Sequence, residues 1–169
     1  PGGVNKVLRI SGTTVNSFGG IIAEDVEILN DSGLTAIKAV TVTGAAPATS
    51  MIANTSMASQ TGNITIEKIA NGITNVTASA GGDIIATDAI SWITGGSFIA
   101  GGNVDATANA TIYDATFEGA DVTLLANNAA LSDNAMSNLT VTARNTAELT
   151  GAMGAIANTA VTAVNGAEL

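Results

Sequence analysis

Three aspartates, Asp83, Asp105 and Asp121, fall near the same predicted strand in consecutive repeats, and they are the side chains of this sequence best placed to do chemistry. Two carboxylates at a suitable separation can support inverting glycoside hydrolysis, one as acid and one as base. The same oxygens are weak candidates for calcium, which takes several oxygen ligands. Asp105 alternates outward from a strand. Asp83 and Asp121 fall at corners, where capping a turn is the plainer role for an aspartate. The chain has no His and no Cys. The commonest general base, the thiol nucleophile, disulfides and thiolate metal sites are therefore all missing. We expect no enzyme and no cofactor.

Six Asn-x-Ser/Thr sequons begin at Asn30, Asn54, Asn63, Asn75, Asn109 and Asn138. On an exported protein they would be N-glycosylation acceptors at the surface. A Thr- and Asn-rich repeat also produces such triplets by accident. Thr41, Thr65, Thr123 and Thr140 read as one outward column, and Thr43, Thr87, Thr107 and Thr142 as a second. Flat Thr-x-Thr arrays are the face of solenoid ice-binding proteins, but here Glu67, Ile85, Asp105 and Leu125 interrupt the array. Strand propensity on an exposed face is the plainer explanation of the threonines. The large rings are Phe18, Trp92, Phe98, Tyr113 and Phe117. Phe98 and Phe117 occupy matching places in the repeat and are expected to stack. Trp92 and Tyr113 are candidates for a carbohydrate platform.

Positioning these residues requires a repeat, and the sequence contains one. Asn63-Ile64-Thr65-Ile66 is answered by Asp83-Ile84-Ile85-Ala86, Asn103-Val104-Asp105-Ala106 and Asp121-Val122-Thr123-Leu124. Asn138-Leu139-Thr140-Val141 and Asn158-Thr159-Ala160-Val161 follow, at spacings of 20, 20, 18, 17 and 20 residues. Apolar and outward residues alternate in each unit, which is the period of a strand with one buried face. A second apolar group runs through Ile73, Ile90, Ile112, Leu131 and Leu149, and a third through Val76, Phe98, Phe117, Met136 and Met153. Upstream, Leu8-Arg9-Ile10, Val26-Glu27-Ile28 and Val40-Thr41-Val42 read as the opening strands of earlier coils. Extra residues around 44–50 suggest an outward loop.

One such unit cannot bury its inward face alone, but stacked units can. The expected fold is all-β: a single-stranded parallel β-helix of eight to nine coils of about 20 residues, right-handed by the usual crossover preference. At a strand spacing of about 4.8 Å the body would be roughly 40 Å long. We take residues 1–169 as one solenoid domain, irregular over 1–61 and regular over 62–169. Composition agrees: 46% of residues are hydrophobic but only 3% aromatic, which suits a narrow interior of small side chains.

The net charge is −9, and the cations are Lys6, Arg9, Lys38, Lys68 and Arg144. So few cations argue against a nucleic-acid surface or an anionic membrane as partner. No apolar run reaches the length of about 20 residues that spans a bilayer, so no membrane insertion is expected. Glu24, Asp25 and Glu27 form the densest acidic cluster, beside Lys6, Arg9 and Lys38, and surface pairs between neighbouring coils are expected there.

Gly62-Asn63-Ile64-Thr65-Ile66 and Ser137-Asn138-Leu139-Thr140-Val141-Thr142 resemble the repeats of filamentous-hemagglutinin-type surface proteins. That resemblance implies a right-handed β-helix exported to the cell surface as an adhesin or stalk. The opening Pro1-Gly2-Gly3-Val4 reads as a processed product or a piece of a longer chain. A solenoid with neither end capped exposes strand edges, which identical subunits can cover head to tail. The expected function is therefore a structural subunit of an extracellular filament, sheath or surface layer, with itself as first partner. An adhesin or stalk segment is second, with glycans or cell-surface components as partners. A polysaccharide-active enzyme is third.

Overall fold

Runs of four or five residues that alternate small apolar with polar side chains can bury only one face, and each run here is cut by Gly, Asn or Asp. Such runs are stable as strands only when neighbours pair on both edges. The structure, a computed structural model that describes residues 8–45, 49–127 and 134–169, shows that arrangement. In chain order the strands are β1 (Leu8–Ser11), β2 (Thr14–Ser17), β3 (Ile21–Asn30), β4 (Gly33–Ala36), β5 (Val40–Gly44), β6 (Met51–Ala53) and β7 (Ser56–Ser59). Next come β8 (Ile64–Glu67), β9 (Ile73–Ala80), β10 (Ile84–Thr87), β11 (Ile93–Ala100), β12 (Val104–Ala108), β13 (Ile112–Tyr113) and β14 (Thr116–Gly119). The last are β15 (Val122–Ala126), β16 (Asn134–Ser137), β17 (Thr140–Ala143), β18 (Thr146–Gly151), β19 (Ala155–Ala157), β20 (Ala160–Ala163) and β21 (Gly166–Glu168). There is no helix among the described residues.

All pairings are parallel and join strands one coil apart, so the chain is a β-solenoid of about eight turns of about 20 residues. It has three faces. Face 1 carries the start of β3, then β5, β8, β10, β12, β15, β18 and β21. Face 2 runs from β1 through the end of β3 to β19, and face 3 from β2 to β20. The long strands β3, β9 and β11 each turn a corner and serve two faces.

The interior is a set of stacked columns. On face 1, Ile21, Val40, Ile64, Ile84, Val104, Val122, Ala147 and Ala167 follow one another. The four residues from Ile64 to Val122 are buried as the repeat requires. On face 3 the column is Val15, Leu34, Met57, Ala78, Phe98, Phe117, Val141 and Val161. Phe98 and Phe117 are fully buried and stack with ring centroids 5.1 Å apart and planes within 11°. Side-chain size is shared out within each turn. The turn with Ile66 on face 1 has Ala78 on face 3. The turns with Phe98 and Phe117 on face 3 have Ala86 and Ala106 on face 1. A channel of constant cross-section needs this exchange, because a void or a clash cannot be relieved when coils stack at a fixed spacing.

Two corners hold the register. Between faces 2 and 3, every turn places at least one residue at positive φ: Gly12, Asp31, Asn54, Asn75, Gly95 with Gly96, Asp114, Asn138 and Asn158. Only Gly, Asn and Asp enter that left-handed region readily, which fixes the residue type. Asn75 Nδ2 donates to Asn54 Oδ1 at 3.3 Å, and Asn138 Nδ2 to Asp114 Oδ1 at 2.9 Å. Between faces 3 and 1 a different ladder forms. Asn63 Oδ1 accepts the Asp83 N–H at 2.9 Å, Asp83 Oδ1 the Asn103 N–H at 2.8 Å, and Asn103 Oδ1 the Asp121 N–H at 3.2 Å. The coils approach closely there: a Cβ on Gly81 or Gly101 would overlap the carbonyl oxygen of the coil below.

The repeat read from the sequence slips in its last two units. Asn138-Leu139-Thr140-Val141 and Asn158-Thr159-Ala160-Val161 lie on face 3, with Thr140 beside Thr116, whereas Ala147 continues the column of Val122. Val26-Glu27-Ile28 and Leu8-Arg9-Ile10 likewise belong to face 2. Within the second and third apolar groups, Leu149 lies on face 1, Met136 on face 2, and Met153 is half exposed. The cause is that both corners use Asn or Asp, one for its φ and one for its acceptor oxygen. Leu131, Lys6 and residues 46–48 of the expected loop lie outside the described residues.

Candidate binding surface

Each of the three acidic candidates has a definite place. Asp83 sits in the corner ladder, where its Oδ1 is taken by the Asn103 N–H. Asp121 Oδ1 accepts from the Thr146 hydroxyl at 2.7 Å and the Thr146 N–H at 3.1 Å. The hydroxyl first, and then the N–H, hold the Asp121 carboxyl below its ordinary range. Asp105 stands on face 1 between Ile85 and Thr123, and partial burial pushes its carboxyl up. Asp83 and Asp121 are thus engaged as acceptors for the backbone, and Asp105 projects from a different position of the coil. No three acidic side chains converge to hold a metal among the described residues.

In the acidic cluster near the start of the chain, Arg9 Nε and Nη2 both donate to the Glu27 carboxylate, at 2.9 and 2.6 Å. This bidentate pair lowers the Glu27 carboxyl and raises the Arg9 guanidinium. Lys68 pairs with Asp88 at 3.9 Å. Arg144 reaches back along the corner to donate to the Gly101 carbonyl at 2.6 Å.

Of the sequon residues, Asn54, Asn75 and Asn138 are the positive-φ corner residues themselves, and all three are exposed. Asn109 is exposed, while Asn30 and Asn63 are half-buried. Asn30 Nδ2 donates to Asp31 at 2.6 Å. The threonine columns divide between faces. Thr41, Thr65 and Thr123 lie on face 1, whereas Thr140 and Thr142 lie on face 3. Trp92 lies against Gly72, and Tyr113 stands between Thr94 and Ser137 on face 2, so the two rings occupy different columns.

One feature escapes sequence reasoning. A groove of about 560 Å³ runs parallel to the axis where face 3 meets its outgoing corner, across the first four coils. Its floor is the outward column Asn16, Thr35, Ala58 and Ser79. Its rim carries Phe18, which is 92% exposed, together with Ile37 and Gln60. No lining residue is charged. The signal in the sequence is slight: Phe18 precedes Gly19-Gly20 in a turn, at a place where a ring has no core to enter.

Comparison with known proteins places none beside this chain: no family model, no curated protein and no solved structure matches it. Fold and surface are therefore what define it, as a β-solenoid repeat protein.

Proposed function

We propose that the chain is a structural subunit of an extracellular filament, sheath or surface layer, joined head to tail through its end coils. The observation that carries this reading is the phase of the ends. The first described strands, β1, β2 and the start of β3, lie on faces 2, 3 and 1. The last, β19, β20 and β21, lie on faces 2, 3 and 1 in the same order. A second copy stacked without rotation continues every column: Ile156 meets Ile10, Val161 meets Val15, and Ala167 meets Ile21. At the far end a cavity of about 590 Å³ opens between Leu149, Ile156, Thr159 and Glu168, where another coil would supply the missing contacts. Ile10, Val15, Ile156, Val161 and Ala163 are only partly buried against the core. The joint would form by strand addition. Because the contact is heterologous and does not close, it extends without limit. An extracellular place accords with the resemblance to exported solenoids and with the sequons.

Val161→Asp tests the joint. A carboxylate in an apolar seam costs several kcal/mol, so the concentration at which polymers appear by light scattering should rise more than tenfold, with the far-UV circular dichroism of the monomer unchanged. A wild-type chain that stays monomeric at high concentration would overturn the filament. It would favour the second reading, a stalk or adhesin segment, in which the in-phase ends continue into further coils of the same chain.

A further inference from the structure

The groove on face 3 begins at β2, which also meets the joint, and extends from there over β4, β7 and β9, clear of the end coil. The molecule carries a net charge of −9, yet the groove is neutral. At the two corner ladders the polar side chains are engaged: the Asn63 to Asp121 series with backbone N–H groups, Asn54 with Asn75, Asp114 with Asn138. Along the groove the side chains of Asn16, Thr35, Gln60 and Ser79 make no hydrogen bond to another protein group among the described residues. They leave amide and hydroxyl donors and acceptors repeated at the coil spacing of about 4.8 Å. Beside them the Phe18 ring offers a face to solvent, and Ala58 keeps the floor low.

We propose that this groove binds an extended neutral polysaccharide, its chain parallel to the solenoid axis. Ligand sites are mostly apolar surfaces with a few placed polar groups, and this groove has that make-up. The apolar C–H face of a pyranose packs on an aromatic ring. Its hydroxyls exchange hydrogen bonds with amides and hydroxyls that both donate and accept. A sugar unit is comparable in length to one coil rise, so consecutive units meet consecutive coils. A peptide is a poorer fit. The strands flooring the groove run across it and are paired along both edges from β4 onward, so a peptide lying along the groove meets no open strand edge beyond β2. An acidic polymer finds no cation in the groove, and a basic one no carboxylate.

The inference rests on the groove and not on assembly, so it stands or falls separately from the filament. Calorimetric titration of the purified chain with cellohexaose, xylohexaose and mannohexaose, with polygalacturonate as the acidic comparison, tests it. We expect at least one neutral hexasaccharide to bind, with affinity reduced tenfold or more by Phe18→Ala and, independently, by Ala58→Trp, which fills the floor and leaves the ring. Both positions are outside the core, and circular dichroism of each variant verifies its fold. No binding of any neutral hexasaccharide overturns the proposal, as does binding that both variants leave unchanged or a preference for polygalacturonate. A change in lateral self-association with Phe18→Ala, without any sugar binding, would reassign the groove to packing between copies and equally overturn it.

Discussion

Phe98→Ala lowers the free energy of unfolding by about 3–5 kcal/mol, the range for emptying an aromatic site in a packed core. The upper part of that range applies, because nothing nearby can close the void. Phe98 is fully buried, with Ala78 on one side in its column and the stacked Phe117 on the other. Its own turn has Ala86 on face 1, so the substitution leaves one turn with alanine on two faces. The neighbouring turn shows the remedy, since it combines Ile66 with Ala78. Adding Ala86→Ile to Phe98→Ala should therefore recover about 1–2 kcal/mol, although Ala86→Ile alone overpacks and destabilises. Urea titration followed by circular dichroism reads all three variants. If the double variant is no more stable than Phe98→Ala, size is not exchanged between faces within a turn. A loss in one turn also weakens the coupling of the coils on either side, so the transition of Phe98→Ala should broaden.

Gly96→Val is the second large effect. Gly96 has φ near +94°, where a β-branched residue is strained by about 1–2 kcal/mol. Its Cβ would overlap the Val76 carbonyl oxygen and lie 2.8 Å from the Val76 nitrogen. That backbone belongs to a buried rung and cannot yield, so a further loss of about 1–3 kcal/mol is expected from overpacking. Gly12 is the contrast. It also has positive φ, at 60°, but nothing lies within 4 Å of an added Cβ. Asn54, Asn75 and Asn138 occupy the equivalent position in other turns. Gly12→Asn should accordingly change stability by less than about 0.5 kcal/mol. Thermal denaturation of the two variants separates them. Equal losses would mean that the positive-φ corner, rather than close approach of coils, sets the cost.

Much of the architecture is legible in the sequence, because the repeat follows from burial. Ile64, Ile84, Val104 and Val122 announce a common column through their alternation and spacing, and the Phe98–Phe117 stack follows from their matching positions. The turn ladder at Asn63 and Asn103 is legible too, although its chemistry is finer than the residue types suggest: each oxygen accepts the N–H of the next coil. The phase of the last turns is not legible. Val122 and Ala147 are neighbours in one column but lie 25 residues apart, against 20 from Ile84 to Val104 and 18 from Val104 to Val122, and Asn138 repeats the letter of one corner while performing the task of the other. Ala147, small and flanked by Thr146 and Glu148, gives no apolar signal to compete with Leu139. The groove is illegible for a related reason. It is made of the outward residues of four separate coils, and only the register brings Asn16, Thr35, Ala58 and Ser79 into line.

The assignment of rungs in the second half of the chain is the claim on which both the interior columns and the phase of the ends depend. The chain contains no cysteine, so introduced thiols report without background. Thr123→Cys with Glu148→Cys places two thiols on adjacent rungs of face 1, whereas Thr123→Cys with Thr140→Cys places them on different faces. A methylene-bridged bis-methanethiosulfonate should link the first pair within one chain in high yield and leave the second unlinked, as read by mass spectrometry after proteolysis. Efficient linkage of 123 to 140, with 123 and 148 unlinked, would contradict the account.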